Sequence, residues 1–303
     1  MREGDDHILR EKHPEVSLIP VLDPSLLRLS EKQRAFLLHA IRGLDDEQIR
    51  TRILEVQRDT TYPYPCFRAF HHVSLYMSEN DAYDRILELA QEADQSGGEC
   101  LFLDIGCCMG TDLRHLVLSG FPAGSVIGCD VREEFIELGY KLYGDRDICK
   151  IPFFVGDVFD IVLAPGFAVS DVANVPLTSV SSLDQLRGRV KYIYSGALFH
   201  LFDEGTQEAI ARRLSTLLNI QEGSGKAVVF GRHSAKAEEG MIDDTMKRVR
   251  YAHSPASWER MWKRVLGDKI PVSVEAVLRR YYDDAPPIHP QSTGMMYWSV
   301  WIG

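Results

Sequence analysis

The sequence predicts an α/β fold built on a mostly parallel sheet, with helices packed on it and a helical cap at the N-terminal end. Three observations lead there. Residues 101–116, LFLDIGCCMGTDLRHL, pass from an apolar run through a glycine turn into helical spacing. Beyond them, short apolar runs ending in Asp, Gly or Ser alternate with stretches of helical period. The chain then closes on two strand patterns, PVSVEAVLRRYYD and MMYWSVWI, where the alternation of Tyr297, Ser299 and Trp301 suits a hairpin partner.

Residues 1–28 are polar, carry Pro14, Pro20 and Pro24, and read as an extended arm. Ser30 with Gln33 three residues on is a capping box. It opens a helix that places Phe36, Leu37, Ala40, Ile41 and Leu44 on one face. A second helical pattern over 46–56 uses Ile49, Ile53 and Val56, and the short connection predicts an antiparallel pair. Residues 60–80 read TTYPYPCFRAFHHVSLYMSEN. Pro63 and Pro65 hold the first part extended, and the spacing predicts a helix from near Cys66 with Phe67, Phe70, His71 and Ser74 on one side. Aromatic rings and histidines this dense serve two compatible purposes. One is packing onto the main domain; the other is a lid over a substrate pocket lined by Tyr62, Tyr64, Phe67, His71, His72 or Tyr76. A helix over 81–93, with Ala82, Ile86, Leu89 and Ala90 inward, ends at Ser96, Gly97 and Gly98. The expected organisation is therefore an arm and helical cap over 1–80 and a core domain over 81–303.

In the glycine turn, Gly106 and Gly110 allow a tight bend and close backbone approach, with Cys107 and Cys108 between them. A loop of this kind closing on a helix N-terminus cradles a nucleotide-like cofactor. The spacing is G-x-x-x-G, not the G-x-G-x-x-G of dinucleotide sites, and Asp104 and Asp112 flank it. Two carboxylates repel a pyrophosphate and suit a cationic ligand. The second strand, 125–131, ends at Asp130 and Val131, where an acid accepts hydrogen bonds from ribose hydroxyls or caps the next helix. Phe135, Leu138 and Leu142 mark that helix, and the third strand runs into Gly156, Asp157 and Val158. Residues 159–188 end in a short helix, SSLDQL. Strand four ends at Ser195 and Gly196, on the sheet edge where α/β folds bind their ligands. His200 follows, as a general base for a hydroxyl or as a structural histidine beside the cofactor pocket. Strand five is KAVVFGRH; the charged stretch 234–249 is expected to cover the active site. Trp258, Met261, Trp262 and Val265 form an apolar helix stripe that reads as core.

Composition narrows the function. The 303 residues are 45% hydrophobic and 26% charged, ordinary values for a globular chain. A net charge of −10 has the wrong sign for a phosphate-backbone binder, so no nucleic-acid partner is expected. Six cysteines show neither a CxxC pair nor zinc spacing, which predicts reduced thiols and no metal. No apolar run reaches membrane-spanning length and the N-terminus has no apolar signal core, so a cytoplasmic protein is expected.

The stretch from Asp104 resembles motif I of the class I S-adenosylmethionine (SAM) dependent methyltransferases, usually D-x-G-x-G-x-G, with Cys108 at the second glycine. The resemblance implies a Rossmann-like sheet of seven strands whose last, antiparallel strand lies between the fifth and sixth. It also implies that SAM is bound and S-adenosylhomocysteine (SAH) released. Asp104, Gly106, Cys107, Gly110, Asp130, Val131, Asp157, Val158 and Ser195 are the implied cofactor residues. Asp157 would take the adenine amine, and the Val158 N–H a ring nitrogen. The amine-methylating [DN]PP[YF] motif is absent, since that position reads YSGALF. A narrower resemblance, carried by residues 62–66, 104–114, 129–130 and 156–160, is to the fungal secondary-metabolism methyltransferases, some of which esterify polyketide–terpenoid hybrids. It implies carboxyl O-methylation of a hydrophobic natural-product intermediate, with Tyr64, Phe67, His71 and Tyr76 on the substrate. Two alternatives within the class are hydroxyl O- or C-methylation with His200 as catalytic base. Outside it stand an NAD-dependent oxidoreductase and a non-catalytic SAM-binding protein.

Overall fold

A computed structural model describes residues 21–61, 65–98, 100–163, 175–221, 225–242, 250–279 and 293–303. Both N-terminal helices begin at capping boxes. Ser30 Oγ accepts the Gln33 N–H at 3.2 Å and Gln33 Oε1 the Ser30 N–H at 2.8 Å, starting α1 (Glu31–Ala40). Asp45 and Gln48 repeat the exchange for α2 (Asp46–Asp59). Phe36, Leu37, Ile41, Ile49, Ile53 and Val56 are buried, each side chain contributing about 1.5–3 kcal/mol.

The expected helix from Cys66 is only one turn, α3 (Pro65–Arg68). The buried Gln57 amide donates to the carbonyls of Phe67 (2.7 Å) and Arg68 (3.2 Å), occupying acceptors that a continuing helix would use. Phe70 then turns left-handed, at φ 58°, and short 3₁₀ turns at His71–Val73 and Met77–Glu79 carry the chain to α4 (Tyr83–Gln95).

The strands are β1 (Phe102–Ile105), β2 (Val126–Asp130), β3 (Phe153–Val155), β4 (Tyr192–Gly196) and β5 (Ala227–Ala235). After a small antiparallel pair, β6 (Gly240–Ile242) and β7 (Arg250–Ala252), come β8 (Val272–Arg279) and β9 (Gly294–Ile302). The main sheet has seven strands in the order β3-β2-β1-β4-β5-β9-β8. β9 is antiparallel to both neighbours, and the pairs from β3 to β5 are parallel. The charged stretch after β5 is thus partly the β6–β7 hairpin; its residues 243–249 lie outside the described ones.

Helices α5 (Thr111–Leu118), α6 (Glu133–Tyr143), α7 (Glu204–Leu217) and α8 (Pro255–Leu266) complete the layers. The pleat sends Leu103, Ile193 and Val229 into a cluster with α7, α8 and the buried Trp258, Trp262 and Trp298. Phe102, Tyr192 and Val228 face the opposite way, against α4 and α5. A third cluster joins α1, α2 and residues of 67–75 to Met109 and to Phe135, Leu138, Leu142 and Tyr143 of α6, so the cap is seated against the glycine turn. Strand order reverses between β1 and β4, and the crevice outside the strand ends there is where such sheets bind ligands.

Candidate active site

The turn after β1 is held from three directions. The N–H groups of Gly106 and Cys107 donate to the Cys129 carbonyl at 2.8 and 3.0 Å, and the Cys108 N–H to Asp130 Oδ2 at 2.8 Å. From α5, Arg114 donates to the carbonyls of Met109 (2.8 Å) and Gly110 (3.3 Å) while its other nitrogens grip Asp145 at 2.7 and 2.9 Å. Gly110 sits at φ 66°, and a Cβ there would lie 2.5 Å from the Phe153 ring. Cys108 has φ 54°. The position where motif I carries its second glycine still demands left-handed backbone, and the cysteine bears that strain.

A cavity of about 510 Å³ opens over this turn, within the usual size of small-molecule sites. Of the cofactor residues expected from sequence, Asp104, Gly106, Cys107, Asp130, Val131, Asp157 and Val158 line it. Gly110 and Ser195 do not. Gly110 shapes the turn, and the pleat turns the Ser195 hydroxyl into the core, where it has no hydrogen-bond partner among the described residues. Gly196, Ala197 and Leu198 form the wall there. Phe67, His71 and Tyr76 of the expected substrate residues line the cavity, as does His200. Tyr64 lies outside the described residues.

The electrostatics are those of a site built for positive charge and hydroxyl donors. Asp104 is 2% exposed and its carboxyl accepts no hydrogen bond among the described residues. Burial, then the charges of Asp112 and Asp130, push its carboxyl well above the usual range. Burial raises Asp130 to about 6 against the pull of its backbone hydrogen bonds. Its oxygens accept the N–H groups of Cys108 and Arg132, leaving further lone pairs for a ribose. It does not cap α6, whose N-cap is Arg132. Asp112, which accepts the Met77 N–H at 3.0 Å and so ties the cap to α5, is raised by burial to about 7. Asp157 Oδ1 holds the Phe159 N–H at 2.9 Å, fixing the loop after β3. SAM, cationic and carrying hydroxyls, an amine and an ammonium, would fit these groups; the diphosphate of NAD would add negative charge beside buried acids.

Sequence reading missed two residues of this wall and gave a third no distinct role. Arg232, in the RH of KAVVFGRH, is buried at the carboxyl end of β5 and stacks over the Tyr76 ring at 3.2 Å from its centroid. Tyr194 brings a buried hydroxyl without a partner among the described residues. His72 was only one of several lid candidates. It is buried, stacked on Phe67 at 5.4 Å, and driven by burial down to about 3, so it is neutral. The available signal was a lone arginine closing an apolar strand, which periodicity alone assigns to solvent.

No family model matches the chain. Among curated proteins it is similar to the O-methyltransferase phiE of a fungal species, 29% identical over 208 residues, 68% of this chain. That stretch spans 61% of phiE's own length. It is also similar to the asnovolin E/chermesin D methyltransferase nvfJ of Aspergillus novofumigatus, 28% identical over 80% of this chain and 79% of the relative. The methyltransferase adrK of Penicillium rubens is 30% identical over 69% of this chain and 66% of its own. A crevice lined by acids from the ends of β1 and β2 and from the loop after β3, set beside these relatives, gives one conclusion: the chain belongs to the class I SAM-dependent methyltransferases and is similar to fungal members of that family.

Proposed function

We propose that this protein transfers the methyl group of SAM to a carboxylate on a hydrophobic small-molecule natural-product intermediate. One observation carries the reading: a single cavity is lined both by the strand-end acids that suit SAM and by aromatic residues of 67–76 that suit an apolar acceptor. The name of nvfJ, which specifies asnovolin E and chermesin D, supports a small-molecule acceptor. We read residues 1–80 as the cap that builds the acceptor wall and 81–303 as the domain that holds the cofactor.

SAM supplies a methyl group on sulfonium: an acceptor oxygen's lone pair forms the C–O bond as the S–C bond breaks, its electrons staying on sulfur to give SAH. The protein's work is to bind, align and dry the site. Asp104 and Asp130 fix the cofactor, and the Phe67, His71 and Tyr76 wall excludes water and orients the acceptor. A carboxylate is already a nucleophile at neutral pH and needs no base.

His200→Ala tests the reading. A carboxyl transferase keeps activity within about tenfold, because no proton is abstracted; loss of several hundredfold with SAH affinity intact assigns the acceptor to hydroxyl or carbon and His200 to the base. His200 lies on the cavity wall, so the second outcome has a structural basis.

A further inference from the structure

Arg232 is a cation in a place that costs free energy. It is 6% exposed, its Nε has no hydrogen-bond partner, and its guanidinium makes no ion pair among the described residues. Two acids act on it and both are engaged elsewhere: Asp112 holds the Met77 N–H, and Glu79 takes the Tyr297 hydroxyl at 2.5 Å. What it does have is Tyr76, whose ring face lies under the guanidinium. A buried guanidinium with no carboxylate in hydrogen-bond contact is destabilising on its own, and cation–π stacking offsets only part of that. Both Arg232 and Tyr194 line the cavity, and Tyr194 adds, from the same face of the sheet, a hydroxyl with no partner among the described residues.

Strand order places this pair. From Asp130 on β2 the sheet runs through β1 and β4 to Arg232 on β5, three strand spacings or roughly 14 Å from the expected ribose position. The residues that would hold the ribose and adenine, Asp130 and Asp157, lie on the β2–β3 side, so Arg232 stands at the acceptor end.

We propose that Arg232, assisted by the Tyr194 hydroxyl, is the carboxylate-binding residue of the cavity. The guanidinium holds one oxygen of the ligand's carboxylate and leaves the other free to attack. This rests on the proposed methyl transfer and names the acceptor's recognised group as an anionic carboxylate. A carboxylate also sits at the methionine end of the cofactor. The chemistry recognised is the same, and the position on β5 favours the acceptor.

The test compares the native protein with Arg232→Gln and Arg232→Lys. Calorimetry measures SAH and 5′-methylthioadenosine, which lacks the amino-acid end. Ligand-observed NMR on the SAH complex measures two terpenoid acids, farnesoic and abietic, against their primary amides. The native complex is expected to prefer acid over amide at least tenfold; Arg232→Gln abolishes the preference and Arg232→Lys restores part of it. Affinity for both nucleosides stays within threefold, which also reports an intact fold. A tenfold loss for SAH alone in Arg232→Gln, with methylthioadenosine unchanged, keeps carboxylate recognition by Arg232 but overturns its assignment to the acceptor. The proposal is overturned if acids bind the native complex no better than amides and SAH affinity ignores the substitution. If the native protein binds neither nucleoside, the methyl-transfer reading itself fails, a distinct result.

Discussion

Asp104 shows how the site sets function against stability. Its carboxyl is buried beside two other acids with no hydrogen bond among the described residues, and its pKa lies well above the unfolded value. A raised folded-state pKa means the penalty is absent below the unfolded value, about 4, grows as pH rises above it and is complete once pH passes the folded one. Asp104→Asn should therefore stabilise the ligand-free protein by ~1–2 kcal/mol at pH 8, with the gain shrinking as pH falls toward 4. It should also weaken SAH binding more than tenfold; denaturation with calorimetry checks both. Cys108 makes a second residue-scale case. At φ 54°, Cys108→Gly relieves strain and loosens the unfolded chain, and the two nearly cancel, to within ~1 kcal/mol. Cys108→Val, β-branched at positive φ, should cost ~2 kcal/mol or more by urea melts. The glycine turn and its acids were legible because each is a local requirement of backbone or charge. Arg232 was not, because its counter-surface, the Tyr76 ring, lies far off in sequence.

Between elements, a few buried polar side chains rivet the cap to the sheet. Asn80 donates to the carbonyls of Gly231 on β5 (2.9 Å) and Trp298 on β9 (3.1 Å), and accepts the Ala82 N–H at 3.0 Å. Asn80→Ala leaves two buried carbonyls unpaired and should cost ~2–3 kcal/mol in chemical denaturation. On α6, Gly139 lets the helix touch the glycine turn; a Cβ there would lie 2.5 Å from the Met109 carbonyl oxygen. Gly139→Ala should displace the turn and lower SAH affinity at least tenfold while far-UV circular dichroism stays near native. The helices themselves could be read from sequence, since capping boxes and apolar stripes are local signals. The single turn at Pro65–Arg68 could not, because the amide that ends it, Gln57, comes from α2.

Across the whole molecule, three clusters share one ligand crevice, and protons report whether it is filled. Asp130 and Asp112 sit at about 6 and 7 without ligand. A bound cation or hydroxyl donor favours their ionised forms and lowers both values, so SAM binding between pH 5 and 7 should release protons and tighten as pH rises through that window. Calorimetry in buffers of different ionisation enthalpy measures the release; none at pH 6 would place the cofactor elsewhere. Among the described residues no helix is long and apolar enough to cross a membrane. The sequence by itself determined the alternation of strands and helices, the glycine turn and the acids at the strand ends, because periodicity, φ requirements and local charge act over a few residues. Only the tertiary structure decided that Ser195 turns inward, that Asp112 meets the cap, and that a buried arginine faces the cavity. Those outcomes depend on which strand lies beside which, and that pairing is set by long-range packing.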